Sequence, residues 1–296
     1  TRLTKLFPPH TLPYCPEVKK IAKSGNFDLI ITSEVFSLNS LKLALCTPKN
    51  LIVWQELGKH NRIFHGLASK FWYGIIAKIG FKKALIVARS VQAREFISKY
   101  CKNVSDTIID HGVNIEKFTP CREKDNQFAI SSQLISRKHI EKSIEAFAKY
   151  LNKYDDSAKL YIMGDGDEKE NLRKLAKDLG ADKNIIFTGK LGHNDLIEIL
   201  KKSIAMLVYT QSDLNMVSIV ESLSLATPVI TTSVPYCSSY IESENLGIVD
   251  DNWNEDDLRR IATSDEYINN CMNYRKYLPT EYKAEQFLKV ANNFSY

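Results

Sequence analysis

The sequence predicts an α/β protein of two Rossmann-like parallel-sheet domains facing a cleft. Three observations predict it. Short β-branched runs alternate with longer helix-spaced segments almost from end to end. One Gly-, Pro- and charge-rich stretch interrupts that alternation. And 296 residues, 44% hydrophobic and 25% charged, suffice for two cores. Strand–helix–strand repetition needs crossovers, so the strands run parallel and each sheet is covered on both faces.

In the first part, FDLIITS, NLIVWQ, ALIVAR and VSDTIID are apolar runs of strand length. Between them SLNSLKLAL, RIFHGLASKFWYGIIAKIG and SVQAREFISKY carry helical spacing. HGVNIEKFTPCREKDNQ then breaks the pattern and reads as an interdomain linker. A second series begins with FAISS, a helix from Lys138 to about Asn152, KLYIMG, and a helix from Glu168 to Leu179. NIIFTG, a helix from Asn194 to Lys202, AMLVYT, and a helix near Met216 to Leu225 come next. PVITT, a helix near Ser238, LGIV and helices to the end complete it. The expected domains are 1–118, 119–278 and a returning C-terminal helix, 279–296.

The totals exclude several classes. No apolar run approaches the ~20 residues of a membrane-spanning helix, and TRLTKLFPPH has no apolar core of a secretory signal. Cys15, Cys46, Cys101, Cys121, Cys237 and Cys271 are scattered, with no C-x-x-C and no His cluster, which reads as reduced cytosolic thiols rather than disulfides or a zinc site. A net charge of +5 suits anionic ligands or an anionic membrane surface and is too small to argue for nucleic acid. The 12 glycines are few for this length, where about 7% is usual.

DLNMVSIVESLSLATPVI concentrates the chemistry. Asp213 stands before a helix start, and Glu221 follows eight positions later inside that helix. Orphan amides at a helix start carry partial positive charge and suit phosphates. The spacing alone leaves a plainer alternative open, in which Asp213 caps the helix and Glu221 is a solvated helical residue.

The ordered series of motifs resembles the nucleotide-sugar glycosyltransferases of GT-B architecture, specifically the large retaining group called family 4 (group 1), over about Phe27 to Phe294. IIDHGVNIEKFTP is similar to its linker motif, with His111 in place of an Asn. SQLISRKHIEKSIEAF, KLYIMGDGDEKENLRKLAKDLG, NIIFTGKLGHNDLIEILKKSIAMLVYTQSD and DLNMVSIVESLSLATPVITTSVP follow in the family's order. The resemblance implies that Asp213 accepts from donor-sugar hydroxyls and Glu221 from the ribose. Met216, Val217 and Ser218, with Asn215 just ahead, then supply the helix-start groups for the phosphates. Lys138 matches the family's diphosphate Lys, whereas Gln133 occupies the place of its Arg; Arg137 is next in line to restore that charge, or is an exposed helix-start residue. Gly164 and Gly166 match a tight turn before a helix, so Asp165 and Asp167 are not read as a metal site. Thr188, Gly189, Lys190 and Leu191 fall where the family's backbone edges the nucleobase. No cofactor or metal is implied; the nucleotide diphosphate sugar is the donor substrate.

In the first half, LIVWQELGKH falls where the family has a strand and a His-containing loop. Here Gln55 and Glu56 stand instead, with His60 further on. Glu56 is a candidate proton acceptor or acceptor-hydroxyl ligand, or an ordinary polar strand end. Ser90 reads as a helix N-cap. The stretch 62–83, rich in aromatics and punctuated by Lys70, Lys78, Lys82 and Lys83, fits either a peripheral membrane contact or a cover for the first sheet. Doing both needs two apolar faces, which Phe64, Phe71, Trp72, Ile75, Ile76 and Ile79 come near to providing.

Departures from the family pattern are also visible. Ser132 or its neighbour, His139, Met216 and Ala226 stand near places where Gly is usual, and the opening strand with its glycine-rich loop has no counterpart before FDLIITS. The expected function is a retaining, metal-independent hexosyl transfer to a glycan or lipid-linked acceptor in bacterial surface polysaccharide synthesis, the Lys-, Ile- and Asn-heavy composition hinting at a low-GC bacterium. It would act in the cytoplasm or peripherally at the inner membrane face. The alternative is a catalytically inactive GT-B subunit or regulator of an active transferase.

Overall fold

The computed structural model describes residues 14–25, 27–46, 51–60, 66–211, 213 and 215–294. It divides into two compact units, Thr1–Asp110 with Lys283–Tyr296, and His111–Tyr282.

The first unit carries a parallel sheet of β1 (Ile30–Ser33), β2 (Leu51–Gln55), β3 (Leu85–Ala88) and β4 (Val104–Ile108), in that spatial order. Its helices are α1 (Val18–Ser24), α2 (Leu38–Cys46), α3 (Leu67–Phe71), a π-helical segment Trp72–Ala77, α4 (Lys78–Gly80) and α5 (Val91–Ile97). Side chains alternate across a strand, so Leu51 and Val53 join one core with Leu43, Tyr73, Phe81 and Ile97. Their neighbours Ile52, Leu85 and Val87 face the other side and pack with Ile109 and Phe287. Phe287 comes from the last helix, α13 (Thr280–Asn292), and lies edge-on against Trp54 at 5.6 Å. The helical stretch expected from Arg62 is interrupted by the π segment; residues 61–65, with Phe64, lie outside the described residues.

In the second unit all pairings are parallel and the order is β10-β9-β8-β5-β6-β7. The strands are β5 (Gln127–Ser131), β6 (Lys159–Met163), β7 (Ile185–Gly189), β8 (Ala205–Leu207), β9 (Val229–Thr231) and β10 (Gly247–Val249). The helices are α6 (Ile140–Lys153), α7 (Lys169–Asp178), α8 (His193–Lys202), α9 (Val217–Ser224), α10 (Ser238–Ser243), α11 (Glu255–Ala262) and α12 (Glu266–Tyr274), while α13 from Lys283 onward belongs to the first unit. Phe128, Ile130, Leu160 and Leu207 face the core shared with α6, α7 and α11. Ala129, Met163, Met206 and Val229 face the core shared with α8, α9 and α12.

The chain winds β5 to β6 to β7 in one direction and returns to place β8 on the other side of β5. Loops leaving β5 and β8 therefore diverge at a switch point, where open α/β sheets form a ligand crevice. The helix expected from Lys138 starts instead at Ile140. His139 takes a left-handed backbone (φ 46°) that no α-helix continues through, and Ser136–Lys138 forms a separate 3-10 turn. Lys138 thus sits on a turn.

Candidate functional site

The loop after β5 is set by its neighbour. Ser132 N donates to Met163 O (3.1 Å) and Leu134 N to Asp165 O (3.0 Å), extending the β5–β6 ladder past both strands. Such close approach excludes side chains. A Cβ on Gly164 (φ +148°) would stand 1.8 Å from Ser132 O, and one on Gly166 (φ +159°) 2.3 Å from Leu134 O. Buried Leu134 anchors the loop, and Arg137 and Lys138 follow on the 3-10 turn.

The loop after β8 brings the acid. Asp213 N donates to Thr210 Oγ1 (3.0 Å), and Thr232 Oγ1 fixes Thr210 by donating to its carbonyl (2.6 Å). The Asp213 side chain is 10% exposed; its Oδ2 is 2.6 Å from Lys138 Nζ, and Arg137 donates to Oδ1. Asp213 does not cap α9. The cap position is Met216 (φ −116°), whose own side chain makes no capping hydrogen bond. Met216 is buried, Val217 and Asn215 are exposed and Ser218 is half-buried. Ser132, Lys138, Tyr209 and Met216 line a crevice at the switch point that leaves about 10 Å³.

Glu221 lies in the second turn of α9, 19% exposed, with Oε1 3.2 Å from His193 Nε2. His193 opens α8 and packs edge-on against Phe118 at 5.8 Å. It is a site residue the sequence reading passed over. The available signal was an imidazole just after a glycine, two positions beyond the stretch expected to edge the base.

Two cations and one carboxylate leave a net positive charge beside a helix start whose cap residue, Met216, offers no acceptor side chain. Such a combination is chemically suited to an anion. The two acids stand before and within α9, with neither turned out into bulk solvent.

Other expected residues are placed less centrally. Gln133 is exposed on the β5 loop and adds no charge to the Asp213 cluster. Gly189 (φ +73°) accepts from Gly164 N (3.0 Å), and Thr188 Oγ1 donates to Gly189 O (3.0 Å). Lys190 is exposed, and Leu191 packs against the core beside α8. Asp165 Oδ1 accepts from Gly166 N (2.9 Å), and Oδ2 meets Lys169 Nζ at 3.3 Å, so this acid serves its own loop. Among the described residues no group of three or more His, Cys, Asp and Glu is arranged to hold a metal ion. Of the substituted glycine positions, His139 (φ 46°) and Ala226 (φ 58°) keep the left-handed backbone despite carrying a Cβ.

Glu56 belongs to the first unit, and its carboxylate is tied to Arg89 (2.5 Å). Arg89 is 4% exposed, 4.8 Å from the Trp54 ring centroid and 3.7 Å from Asp110 Oδ1. The pairing holds the Glu56 carboxylate against Arg89 at the end of β2. Next to it is an acid the sequence reading missed. Glu34 Oε1 accepts from Glu56 N (2.9 Å) and Leu57 N (3.2 Å), while Oε2 is buried without a hydrogen-bond partner. Burial pushes its pKa up to about 7. His60 is held by Ser69 Oγ (3.1 Å) and Tyr100 Oη (2.8 Å), and loss of hydration lowers its pKa. Ser90 Oγ accepts from Ala93 N (3.1 Å), capping α5 as expected.

Comparison with known proteins agrees with this architecture. The chain is 25% identical over 255 residues to alpha-monoglucosyldiacylglycerol synthase of Streptococcus pneumoniae, covering 77% of this chain and 57% of that protein. Thus it spans little more than half the length of that curated relative, and half or less of others. Among solved structures, TarM of S. aureus superposes with TM-score 0.66 at 18% identity, covering 93% of this chain and 57% of that one. Anabaena HepE, solved in complex with UDP, gives TM-score 0.67 at 13% identity, covering 95% and 83%. These likenesses give the fold: GT-B, two α/β units each built on a parallel sheet. Residues 114–270, just over half the chain, match the family described as glycosyl transferases group 1. The chain belongs to that family.

Proposed function

We propose that the chain carries out retaining, metal-independent transfer of a hexose from a nucleotide diphosphate sugar to a glycan or lipid-linked acceptor. One observation carries the reading: Arg137 and Lys138 converge on Asp213 beside the start of α9, with Glu221 in its second turn. In this assignment the diphosphate takes Lys138, Arg137 and the amides of Val217 and Ser218. Asp213, released from the cations, accepts from the sugar hydroxyls, and Glu221 accepts from the ribose. Lys138 and Arg137 then stabilise the leaving diphosphate, the task a metal ion performs elsewhere. UDP enters as the first nucleotide to try because HepE and TarM were solved with it. A lipid-linked acceptor fits the diacylglycerol-glucosylating relative and the expected peripheral contact through 62–83 at the inner membrane face.

Calorimetry with UDP, GDP and ADP tests this. Micromolar binding of one nucleotide, abolished in Glu221→Ala and unaffected by EDTA, is the expected result. No binding of any of the three, with the C-terminal unit folded, overturns it. The second reading, a binding subunit without turnover, draws on Gln133 standing uncharged on the β5 loop. It predicts nucleotide binding with no hydrolysis or transfer from the matching nucleotide sugar.

A further inference from the structure

The helical stretch beginning at Leu67 has two apolar faces. Trp72, Tyr73, Ala77 and Phe81 are buried against the first sheet, with Trp72 Nε1 donating to Val35 O (3.0 Å). On the opposite side Leu67 (67% exposed), Phe71 (59%), Ile75 (50%) and Ile79 (71%) stand in water at intervals of four. At the α-helical 3.6 residues per turn, twelve positions would carry Ile79 about 120° around the axis from Leu67. The Trp72–Ala77 segment is π-helical. Its wider i→i+5 turn of roughly 4.4 residues advances more slowly and cuts that drift to about 10–15°. The π segment therefore holds four exposed apolar side chains in one line while Trp72, Tyr73 and Phe81 keep the inner face.

Charge identifies what this line meets. From Leu57 to Arg94 the sequence has no Asp or Glu and eight Lys and Arg. Lys70, Lys78, Lys82 and Lys83 are all exposed, Lys70 and Lys78 adjoining Phe71 and Ile79 in the chain. A second copy related by a twofold axis would bring the same uncompensated lysines together. An anionic lipid surface instead neutralises them while its acyl boundary takes the apolar row. Among the described residues no helix is long and apolar enough to cross a membrane, so the contact lies in the interface plane.

We propose that Leu67, Phe71, Ile75 and Ile79, flanked by Lys70, Lys78, Lys82 and Lys83, form a docking face for anionic lipid, aligned by the π segment. This deepens the peripheral-contact part of the reading above and does not depend on its transfer chemistry. The test is co-sedimentation of the full chain with phosphatidylglycerol–phosphatidylcholine vesicles and with pure phosphatidylcholine, at low and high ionic strength. Binding confined to the anionic vesicles and weakened by salt is expected. Ile75→Ser with Ile79→Ser should lower the partition coefficient about tenfold, and Lys78→Gln with Lys82→Gln should remove most of the preference for the anionic lipid. All four positions are exposed, and nucleotide affinity measured on the same preparations reports an intact second unit. Equal sedimentation of wild type and the serine variant overturns the proposal, as does wild type that remains in the supernatant. A wild-type dimer dissociated by the same serine substitutions makes the face a protein interface and also overturns it. Loss of vesicle binding with UDP binding kept, or the reverse, separates this inference from the transferase reading.

Discussion

Lys138 Nζ stands 2.6 Å from Asp213 Oδ2 although the two are 75 positions apart in the chain, and Arg137 shares the same carboxylate. The acid holds the cations at the head of α9, and in the proposed reading it competes with the diphosphate for them. Removing either partner therefore has opposite consequences. Lys138→Met should weaken UDP ten- to a hundredfold, as loss of a charged hydrogen bond of about 1.5–3 kcal/mol dictates, and should weaken UMP much less. Asp213→Asn should leave UDP affinity equal or higher while abolishing sugar transfer. Calorimetry on the two variants checks this, and weaker UDP binding by Asp213→Asn contradicts the competition.

The His193–Glu221 pair predicts unequal losses. His193 is half exposed, and exposed pairs contribute at most about 1 kcal/mol. His193→Ala should cost UDP binding no more than about fivefold, an effect of under 1 kcal/mol. Glu221→Ala should eliminate measurable binding. Equal effects from the two would mean that the imidazole itself contacts the nucleotide.

Two glycines with positive φ separate close approach from backbone preference. Gly164→Ala drives a Cβ to 1.8 Å from Ser132 O, whereas a Cβ on Gly180 (φ +70°) meets nothing within 4 Å. Gly180→Ala should cost about 1–2 kcal/mol, the left-handed penalty alone. Gly164→Ala must also displace the β5 loop and should cost roughly 3 kcal/mol or more, with nucleotide binding lost. Urea midpoints for the second unit, together with calorimetry, make the comparison.

Glu34 predicts a pH dependence in the first unit. Its folded pKa, about 7, lies above the ordinary 4.5, so the folded state binds more protons than the unfolded state between those values. Stability from this group is full below about pH 4.5 and declines as pH rises through 7, by roughly 2–3 kcal/mol. Glu34→Gln should remove that decline, so the stability difference between variant and wild type grows in the variant's favour from pH 5 to pH 8. Denaturant melts at several pH values measure it; a difference that does not change with pH contradicts the assignment.

Much of the fold was legible because its signals are local. β2 reads as a strand since Leu51 and Val53 on one face and Ile52 on the other are all apolar, the signature of a sheet covered twice. The acid before α9, the acid within it and the glycines at 164 and 166 were legible through the ordered resemblance to the family, since spacing alone left a helix cap and a solvated helical residue as the plainer alternative. His193 was not, because nothing local distinguishes an imidazole that opens a helix from one that meets Glu221 28 positions away. The tie between Glu56 and Arg89 was not legible because it spans 33 positions. Glu34 gave no sign at all, since its desolvation comes from the way the β2 exit folds over it.

By itself the sequence determined the alternation of strands and helices, the parallel sheets, the turn glycines and the pair of acids around one helix start. The alternation and the parallel sheets follow from periodicity, which acts within a few residues, and the glycines and acids from the order in which family-like motifs occur along the chain. The tertiary structure alone decided which charges meet, which carboxyl loses its water, and that a π segment lines up Leu67, Phe71, Ile75 and Ile79. Coulomb and desolvation energies depend on distances between atoms remote in the chain, and helix phase depends on which side chains the core has already claimed.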